Sequence, residues 1–305
     1  MEKYSNNIPL ISVIVITYNS ADFVIETLQS IKDQSYGNIE LIISDDCSKD
    51  DTVDICKKWM SKNSDRFLRS EIVTVEENSG IPANCNRGIA AAKGEWVKVI
   101  AGDDLLMKDC IKDFFEFSLT KEKFEACVSE MYEFIDGEPT NLKLIKPDIY
   151  SVSIDVHKQY KKLLRSFFGN APTFFIKKKV FDSIIFDENI RYMEDYPLAL
   201  NLNKSGIFIH YLPKPTVLYR VRNNSASNEE NSKLFSDFYK KIEDFNNTYR
   251  YPDMNYLDYL TDRFEIFKKD FFNTFGLNKN KSFNRKLFKY SSYINPFFVL
   301  NKIIK

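Results

Sequence analysis

The sequence predicts an α/β fold, in which a mostly parallel β-sheet carries helices on its faces. Apolar runs that end in polar residues alternate with segments of helical periodicity along the N-terminal part of the chain. The most informative stretch, 78–106, contains a loop, a helix and an apolar strand that ends in two adjacent carboxylates, Asp103 and Asp104. Acidic residues at the carboxyl end of such a strand lie where open α/β sheets bind their ligands. An Asp pair there suits a hard divalent cation, because such cations take oxygen ligands and bridge to substrate phosphates.

Four short apolar runs, rich in β-branched residues, are predicted to be the first strands of this sheet. They cover residues 10–16, 40–44, 72–75 and 96–100. The first run leads into Thr17, Tyr18 and Asn19, and the second leads into Asp45 and Asp46. Polar side chains therefore follow both strands at the point where each one ends.

The segments between these strands have apolar residues at helical spacing, as Val24, Leu28 and Ile31 do in the first of them. In the third such segment, Pro82 suits the first helical turn, where a missing N–H costs little. Gly94 follows that helix at the position where a left-handed C-cap is expected. Strands and helices that alternate at this spacing indicate a parallel sheet wound with helices.

The first strand–helix junction argues against two common classes of nucleotide-binding protein. It reads TYNS, with no glycine-rich loop, and neither GxGxxG nor GxxxxGK[ST] occurs in the chain. A dinucleotide-binding Rossmann enzyme and a P-loop kinase or ATPase are therefore disfavoured. The interpretation that remains is a nucleotide-binding sheet that uses side chains and a metal ion in place of a phosphate cradle.

Composition narrows the class of protein further. With 43 Lys and Arg against 43 Asp and Glu, the formal net charge is zero, and no global field argues for nucleic acid. The 5 cysteines form no CxxC pair, which argues against a disulfide framework or a zinc site and for a reducing compartment. The 2 histidines, His157 and His210, are too far apart in sequence to suggest a metal cluster.

The N-terminus is not expected to be a signal peptide. Its apolar run is short, contains the polar residues Thr17 and Asn19 and lacks a small-residue cleavage site. No stretch of the chain reaches about 18 uninterrupted apolar residues, the length of a membrane span. We therefore expect a cytoplasmic protein with at most peripheral contact at the inner face of the membrane.

Beyond the Asp pair, the chain is predicted to continue with helices and shorter strands. These strands cover 124–132, 207–209, 216–219 and a segment that ends at 176. A polar stretch and a Lys-rich helix lie between the first of these strands and the one ending at 176. A further helix begins just after Glu194 and Asp195, which places both carboxylates near its positive end.

Five stretches of the chain resemble, in order and spacing, the large inverting glycosyltransferase family 2, which has the GT-A fold. They read SVIVITYN, ELIISDDCSKDDT, ENSGIPANCNRGIAAAKGEWVKVIAGDD, MEDYPLALNLNKSG and VLYRVRNNSAS. The resemblance implies a hexosyl transfer from a nucleotide-sugar, usually a UDP-sugar, with inversion at the anomeric carbon. The implied acceptor is a glycan or a lipid-linked saccharide, in the synthesis of a bacterial surface glycan such as a capsule or lipopolysaccharide.

The resemblance also implies which residues bind the donor. In the family, the residue that matches Tyr18 stacks on the base and the one that matches Asp46 accepts a hydrogen bond from it. The implied donor-binding residues are Thr17, Tyr18, Asn19, Asp46, Asn84, Arg87, Asp103 and Arg222. Arg222 is implied by a late-loop His or Arg that closes on the diphosphate, although Arg220 fits that role too.

The metal and the general base are implied in the same way. Asp104 resembles the direct ligand of Mn²⁺ or Mg²⁺, and Asp103 faces the ribose or the metal. A cation is needed because a nucleoside diphosphate leaves poorly unless the charge that develops on its phosphate oxygens is neutralised. Asp195 matches the family's general base, with Glu194 as the second candidate. Taken without the resemblance, Asp195 is better interpreted as a helix-capping acid.

The chain departs from the pattern of the family in three places. Ala101 replaces the first acid of the common Asp-x-Asp-Asp form, and Cys85 replaces a frequent arginine. The Gln-x-x-Arg-Trp motif of processive synthases is absent, so we expect the addition of one sugar.

We predict a GT-A catalytic domain over 1–229, with a donor half over about 1–105, and a helical, basic and aromatic extension over 230–305.

Two other functions stay open at this point. A sugar-1-phosphate nucleotidyltransferase also combines a nucleotide-binding sheet with a metal, but it carries a glycine-rich loop where this chain has TYNS. A catalytically silent nucleotide- or glycan-binding scaffold would be favoured by loss of the acids, yet these are present. The C-terminal tail, which has no Asp or Glu over 276–305, suits either an anionic membrane surface or packing on the domain.

Overall fold

The computed structural model describes residues 8–135, 138–147, 155–167, 169–191, 193–221, 242–274, 290–291 and 295–304. The strands are β1 (Ile11–Thr17), β2 (Ile39–Asp45), β3 (Arg69–Thr74), β4 (Trp96–Ala101), β5 (Leu105–Leu106), β6 (Ala126–Ile135), β7 (Glu138–Ile145), β8 (Phe174–Lys177) and β9 (Ile209–Val221). The helices are α1 (Val24–Lys32), α2 (Thr52–Asn63), α3 (Ile81–Ala91), α4 (Cys110–Ser118), α5 (Val156–Leu163), α6 (Asp195–Lys204), α7 (Tyr256–Thr274) and α8 (Pro296–Ile304).

The described strands form one mixed sheet in the order β3-β2-β1-β4-β8-β6-β9-β5, with β7 paired to β6. Strands β1 to β4 run parallel, as the sequence predicts, because helices connect each one to the next. Strand β8 runs antiparallel to both β4 and β6, whereas β6 and β9 are parallel. The predicted α/β class is confirmed, and the antiparallel pairs are confined to the second half of the sheet.

The core lies on both faces of β1 and β2. Ile11, Val13 and Val15 are fully buried, and every residue of β2 is buried. Val24, Leu28 and Ile31 form the predicted apolar face of α1 and are likewise fully buried. Each such side chain stabilises the fold by about 1.5–3 kcal/mol relative to exposure.

Two local predictions are corrected. Strand β9 is continuous and contains Pro213 and Pro215, although two short strands over 207–209 and 216–219 are predicted from the sequence. The register shifts on either side of Glu130 of β6, where extra residues of β9 around the two prolines form a bulge, the place in a strand where proline is tolerated. Gly94 does not have a positive φ. A glycine is needed there because an added Cβ would lie 2.7 Å from the backbone nitrogen of Ser12 on β1.

The chain divides into two compact units, Met1–Tyr160 with Phe168–Arg222, and Lys161–Phe167 with Asn223–Lys305. Within the second unit, the rings of Phe264 on α7 and Phe297 on α8 pack at 6.4 Å. The predicted boundary near 229 lies outside the described residues, so the domain limits stay a prediction. None of the helices within the described ranges is long and apolar enough to span a membrane.

Candidate active site

The candidate site lies where β1, β2 and β4 end. Thr17 of β1 is level with Asp45 of β2, and Ile16 is level with Ala101 of β4, so the three strands end at one edge of the sheet. Strand β1 lies between β2 and β4, which makes this the point where the strand order reverses. Open α/β sheets bind ligands in the crevice at such a point.

Asp46, directly after β2, is almost fully buried and accepts hydrogen bonds from four donors. Its carboxylate receives the backbone N–H of Ser79 at 3.0 Å, the hydroxyl of Ser79 at 2.7 Å and the N–H of Gly80 at 2.7 Å. The fourth donor is Nη2 of Arg87, at 2.6 Å. Burial alone would raise the pKa of Asp46, but these hydrogen bonds outweigh it and hold the pKa below its ordinary value.

Helix α3 delivers Arg87 to this carboxylate because two glycines let the helix approach. Gly80, the residue before the helix, has φ +93°, which a residue with a side chain rarely adopts. A Cβ on Gly88 would lie 2.4 Å from Ile14 on β1, so only glycine lets α3 pack this closely on the sheet. Arg87 also donates to the Ser79 hydroxyl at 2.6 Å. Among the described residues, its buried Nε finds no hydrogen-bond partner.

The other predicted donor residues of β1 and α3 are also at this edge. The Thr17 hydroxyl donates to Asp45 at 2.7 Å, and the Asn84 side-chain amide donates to the Thr17 carbonyl at 3.2 Å. Tyr18 is 49% exposed, so its ring is available to a planar ligand. Asn19 has φ +50° and accepts the N–H of Lys49 at 2.8 Å, which joins the TYNS turn to the loop after β2.

The two adjacent aspartates differ in their surroundings. Gly102 allows β4 to approach β1, since a Cβ there would lie 2.9 Å from Cγ2 of Thr17. Asp103 follows and is half-buried. Asp104 is 2% exposed, and its Oδ1 accepts the backbone N–H of Arg220 on β9 at 2.9 Å. Asp103 is therefore the more accessible of the two residues, whereas Asp104 is enclosed and bonded to β9.

The guanidinium of Arg220 is held by several groups. Its Nε donates to the Asp103 carbonyl at 2.8 Å, and its Nη2 donates to Glu26 on α1 at 2.7 Å. It lies 4.8 Å from the ring centroids of both Phe23 and Phe134. Arg220 thus holds the end of β9 beside the Asp pair. Arg222, the predicted diphosphate ligand, lies outside the described residues.

Glu194 and Asp195 stand at the beginning of α6. Asp195 is partly exposed, and its carboxyl group accepts the backbone N–H of Tyr196 at 2.8 Å. Burial and the neighbouring charge of Glu194 raise the pKa of Asp195 well above its usual range. Burial also raises the pKa of Glu194.

Helix α3 connects the acids of α6 to the strand-end site. Cys85, on α3, lies within electrostatic range of Glu194, Arg87 and Asp195. Asn86 clamps the segment before α6, because its side chain donates to the Phe186 carbonyl at 2.9 Å and accepts the Phe186 N–H at 3.0 Å. The fold therefore brings the predicted base towards the predicted donor residues.

Sequence reasoning missed residues that shape this site through the backbone. Ser79, which gives Asp46 two hydrogen bonds, is an ordinary loop residue by sequence. Asp45, 1% exposed, accepts the Ser48 N–H at 2.8 Å and so shapes the turn after β2. The Asx-type turn was detectable from the spacing of Asp45 and Ser48. No sequence signal pointed to Ser79.

The described residues contain no group of three or more His, Cys, Asp or Glu side chains that could hold a metal ion. Their chemistry still fits a hard cation, since Mg²⁺ is usually bound through one or two carboxylates together with water and substrate phosphates. Asp103, a half-buried carboxylate at the strand end, is such a group.

Comparison with known proteins identifies the family. The family model described as glycosyl transferase family 2 matches residues 12–185, more than half of the chain, so the chain belongs to this family. It is 29% identical to the putative teichuronic acid biosynthesis glycosyltransferase TuaG of Bacillus subtilis over 73% of this chain and 83% of TuaG. It is 25% identical to the glycosyltransferase GlyG of Streptococcus pneumoniae over 77% of this chain and 80% of GlyG. The chain is thus a glycosyltransferase.

Solved structures show the fold. S. aureus TarS 1-349 in complex with UDP-GlcNAc aligns with a TM-score of 0.63 and 20% identity over 91% of this chain and 78% of that one. Of a longer TarS structure, the chain spans 43%. The mannosyltransferase PcManGT from Pyrobaculum calidifontis, in complex with GDP-Man and Mn2+, aligns with a TM-score of 0.55 and 21% identity over 74% of this chain and 59% of that one. The predicted GT-A fold is confirmed.

Proposed function

We propose that this glycosyltransferase moves one sugar from a UDP-sugar to a hydroxyl group of a surface-glycan or lipid-linked acceptor, with inversion. The observation that carries the proposal is that one helix, α3, lies near two acids whose pKa values are shifted in opposite directions. Its Arg87 contacts Asp46, whose pKa is lowered, and its Cys85 is close enough to Asp195, whose pKa is raised, for their charges to interact. Complexes of TarS with UDP-GlcNAc and with UDP support the choice of UDP. The name of TuaG supports a surface-glycan acceptor.

The nucleotide base of the donor is proposed to stack on Tyr18, which is 49% exposed beside the strand-end crevice. An ionised carboxylate has about four acceptor sites, and the four donors around Asp46 already occupy them. A hydrogen bond from the base would displace one of these donors. We therefore assign to Asp46 the task of holding loop 78–80 and Arg87 in place. Thr17, Asn19 and Asn84 hold the facing turn.

A Mn²⁺ or Mg²⁺ ion is assigned to Asp103. Its carboxylate is half-buried at the strand end, whereas Asp104 is buried and bonded to the backbone of Arg220. Asp104 is therefore proposed to fix the end of β9 beside the site and not to be the principal ligand. When bound, the cation neutralises the negative charge that develops on the departing diphosphate.

Asp195 is proposed to be the general base. The acceptor oxygen forms its bond to the anomeric carbon as the bond to the diphosphate oxygen breaks, and the hydroxyl proton passes to the Asp195 carboxylate. Attack opposite the leaving group inverts the anomeric centre. The raised pKa of Asp195 makes it a stronger base than an ordinary carboxylate, at the expense of being ionised only at higher pH.

Donor binding is tested by thermal shift with UDP, GDP, CMP and dTDP, each with and without Mn²⁺. A ligand that binds only the folded chain raises the melting temperature in proportion to its occupancy. We expect a shift for UDP that requires Mn²⁺. A flat panel would favour the silent scaffold, and a larger shift for GDP would overturn the assignment of the nucleotide.

The variants Asp103→Asn and Asp104→Asn test the division of labour between the two acids. We expect Asp103→Asn to abolish the Mn²⁺-dependent part of the UDP shift while the melting temperature of the free protein is unchanged. Asp104→Asn should lower the melting temperature of the free protein, because it weakens the bond to the Arg220 backbone. The reverse pattern would restore Asp104 as the principal ligand.

A further inference from the structure

The peptide group between Asp103 and Asp104 is held at both of its ends. Its N–H, which belongs to Asp104, donates to the Ala101 carbonyl at 3.2 Å. Its carbonyl, which belongs to Asp103, accepts a hydrogen bond from Nε of Arg220 at 2.8 Å. On the other side of Asp103, the N–H of Gly102 donates to a carbonyl of β1 at 2.9 Å. Because a peptide group is planar, these bonds set the direction of the Cα–Cβ bond of Asp103, and only its side-chain torsions stay adjustable.

The guanidinium of Arg220 is itself fixed in place. The side chain is 4% exposed, and its Nη2 donates to Glu26 at 2.7 Å. The group lies 4.8 Å from the ring centroids of both Phe23 and Phe134. A planar guanidinium that contacts two rings and donates in two directions keeps one orientation, which the single ammonium group of a lysine cannot do. Arg220 is therefore a rigid support for the carbonyl that it binds.

Helix α1 supports the same turn at two successive positions. Glu26 accepts the hydrogen bond from Arg220, and the hydroxyl of the fully buried Thr27 donates directly to the Asp104 carbonyl at 2.8 Å. Two consecutive residues of α1 thus reach two consecutive carbonyls of the Asp pair, one through Arg220 and one without an intermediary. The turn that carries Asp103 is attached to the first helix as well as to β9.

We propose that Arg220 is a positioning residue for cation binding: its guanidinium holds the Asp103–Asp104 peptide so that the Asp103 carboxylate keeps the orientation that binds the metal ion. The inference rests on the proposed assignment of the cation to Asp103. Arg220 acts through Asp103 and contacts neither the cation nor the diphosphate. This role differs from that of a diphosphate ligand, which the sequence pattern also allows for Arg220.

The first test is Arg220→Met, which keeps an apolar stem and removes the hydrogen bonds of the guanidinium. The readout is the Mn²⁺ midpoint, defined as the Mn²⁺ concentration that gives half of the thermal shift at a fixed, saturating UDP concentration. We expect this midpoint to rise at least tenfold, because a carboxylate that is no longer held in its binding geometry binds the cation less tightly. Loss of a positive charge alone would favour the cation and lower the midpoint. A midpoint equal to or below that of the parent chain would overturn the inference.

Arg220→Lys separates the shape of the guanidinium from its charge. Lysine keeps the positive charge but lacks the planar fork that reaches the Asp103 carbonyl and Glu26 together. We expect its Mn²⁺ midpoint to rise nearly as far as that of Arg220→Met. A midpoint equal to that of the parent chain would show that charge is sufficient, and would contradict a positioning role for the guanidinium.

The matched control is Arg66→Met. Arg66 also binds backbone carbonyls through its guanidinium, at the opposite end of β2 from the candidate site. Its acceptors are the carbonyls of Lys32, Gln34, Tyr36 and Gly37, at 2.8–3.1 Å. The control should lower the melting temperature of the free protein but leave the Mn²⁺ midpoint unchanged within about twofold, since its bonds are remote from the Asp pair. If Arg66→Met raises the midpoint as far as Arg220→Met does, the effect is one of general stability and the inference is wrong.

Glu26→Gln distinguishes a positioning residue from a diphosphate ligand by the sign of its effect. The Glu26 side chain is 56% exposed, so this change does not endanger folding. If Arg220 positions Asp103, a weaker bond to Glu26 loosens the guanidinium and should raise the Mn²⁺ midpoint at least twofold. If Arg220 binds the diphosphate, loss of the competing carboxylate frees the guanidinium and lowers the midpoint, which would overturn the inference.

The double variant of Glu26→Gln and Arg220→Met tests whether the two residues act through one connection. Its Mn²⁺ midpoint should equal that of Arg220→Met alone, because the bond to Glu26 matters only while the guanidinium is present. A direct effect of the Glu26 charge on the cation would instead multiply with the effect of Arg220→Met. Fold-changes that multiply would contradict the inference.

A failure of this inference is distinguishable from a failure of the proposed function. If Asp103→Asn retains the Mn²⁺-dependent shift, or the parent chain has none, the cation assignment is wrong and the inference falls with it. If Asp103→Asn loses that shift while Arg220→Met keeps the Mn²⁺ midpoint of the parent chain, the cation assignment stands and only the role of Arg220 is overturned.

Discussion

Asp46 and Asp195 have the same side chain and opposite surroundings. Asp46 receives four hydrogen bonds, one of them from the Arg87 guanidinium, and its pKa lies below the ordinary value. Asp195 lies next to a second acid, Glu194, and burial together with the charge of Glu194 raises its pKa well above its usual range. Environments that push the pKa values of two acids apart separate an acid that stays ionised from one that exchanges protons. The surroundings of Asp46 thus favour its ionised form, whereas those of Asp195 favour its protonated form.

The largest expected effect comes from Asp195→Asn. Removal of the base should lower turnover roughly a thousandfold, measured as UDP release, while the Mn²⁺-dependent thermal shift with UDP is unchanged. The melting temperature should be equal or higher, because a buried carboxylate next to Glu194 has been neutralised. Asp182→Asn, at an exposed acid of the same unit, is the control and should be fully active. Equal loss of UDP binding and turnover would break the comparison.

Asp46→Asn should act on stability. It leaves the Arg87 guanidinium without its carboxylate and should reduce the free energy of unfolding by about 3 kcal/mol, as the removal of one partner of a buried pair does. Urea denaturation measures this. The control, Asp54→Asn, removes a surface pair with Lys57 at 3.7 Å and should cost less than about 1 kcal/mol. Similar values for the two variants would show that the Asp46 network contributes little.

Acid denaturation sharpens the same comparison. The pKa of Asp46 is lower in the folded chain than in the unfolded chain, so its contribution is complete above the ordinary Asp pKa. It is lost as the pH falls from there through the lowered folded-state pKa. Asp46→Asn should therefore lose stability less steeply with acid than the parent chain, in urea titrations between about pH 5 and pH 2. Parallel curves would mean that Asp46 is not the acid responsible.

The smallest expected effect is a displacement of the pH profile by Glu194→Gln. Without the charge of Glu194, the pKa of Asp195 should fall towards its ordinary value. The acidic limb of the profile of kcat against pH should therefore move to lower pH. Turnover on the alkaline side of the limb should change little. Loss of turnover at every pH would instead identify Glu194 as the base.

The sequence predicted the parallel half of the sheet well, because β1 to β4 are apolar runs separated by amphipathic helices. It misjudged β9, which is predicted as two short strands but is continuous, with extra residues around Pro213 and Pro215 forming a bulge in its pairing with β6. This bulge is defined by a strand some 85 residues away in sequence, with Glu130 opposite Pro215, and no local pattern reports it.

The candidate site shows the same limit. Sequence placed the acids at strand and helix ends, but the surroundings of Asp103 and Asp104 depend on β9, whose Arg220 follows Asp104 by 116 positions. Lys98 reads as an irregularity of a core strand until the Pro172 carbonyl is seen beside it. Motif resemblance locates residues, whereas their protonation and exposure come from contacts between distant segments.

The most direct test of the proposed mechanism is the configuration of the first product formed from an α-linked UDP-sugar, with Mn²⁺ present and water as the acceptor. Proton NMR resolves the two anomers before they interconvert. A base that activates the acceptor opposite the leaving group predicts that the β-anomer appears first and that Asp195→Asn suppresses it. Initial formation of the α-anomer would mean retention, and would contradict the assignment of Asp195 as the base of a single inverting displacement.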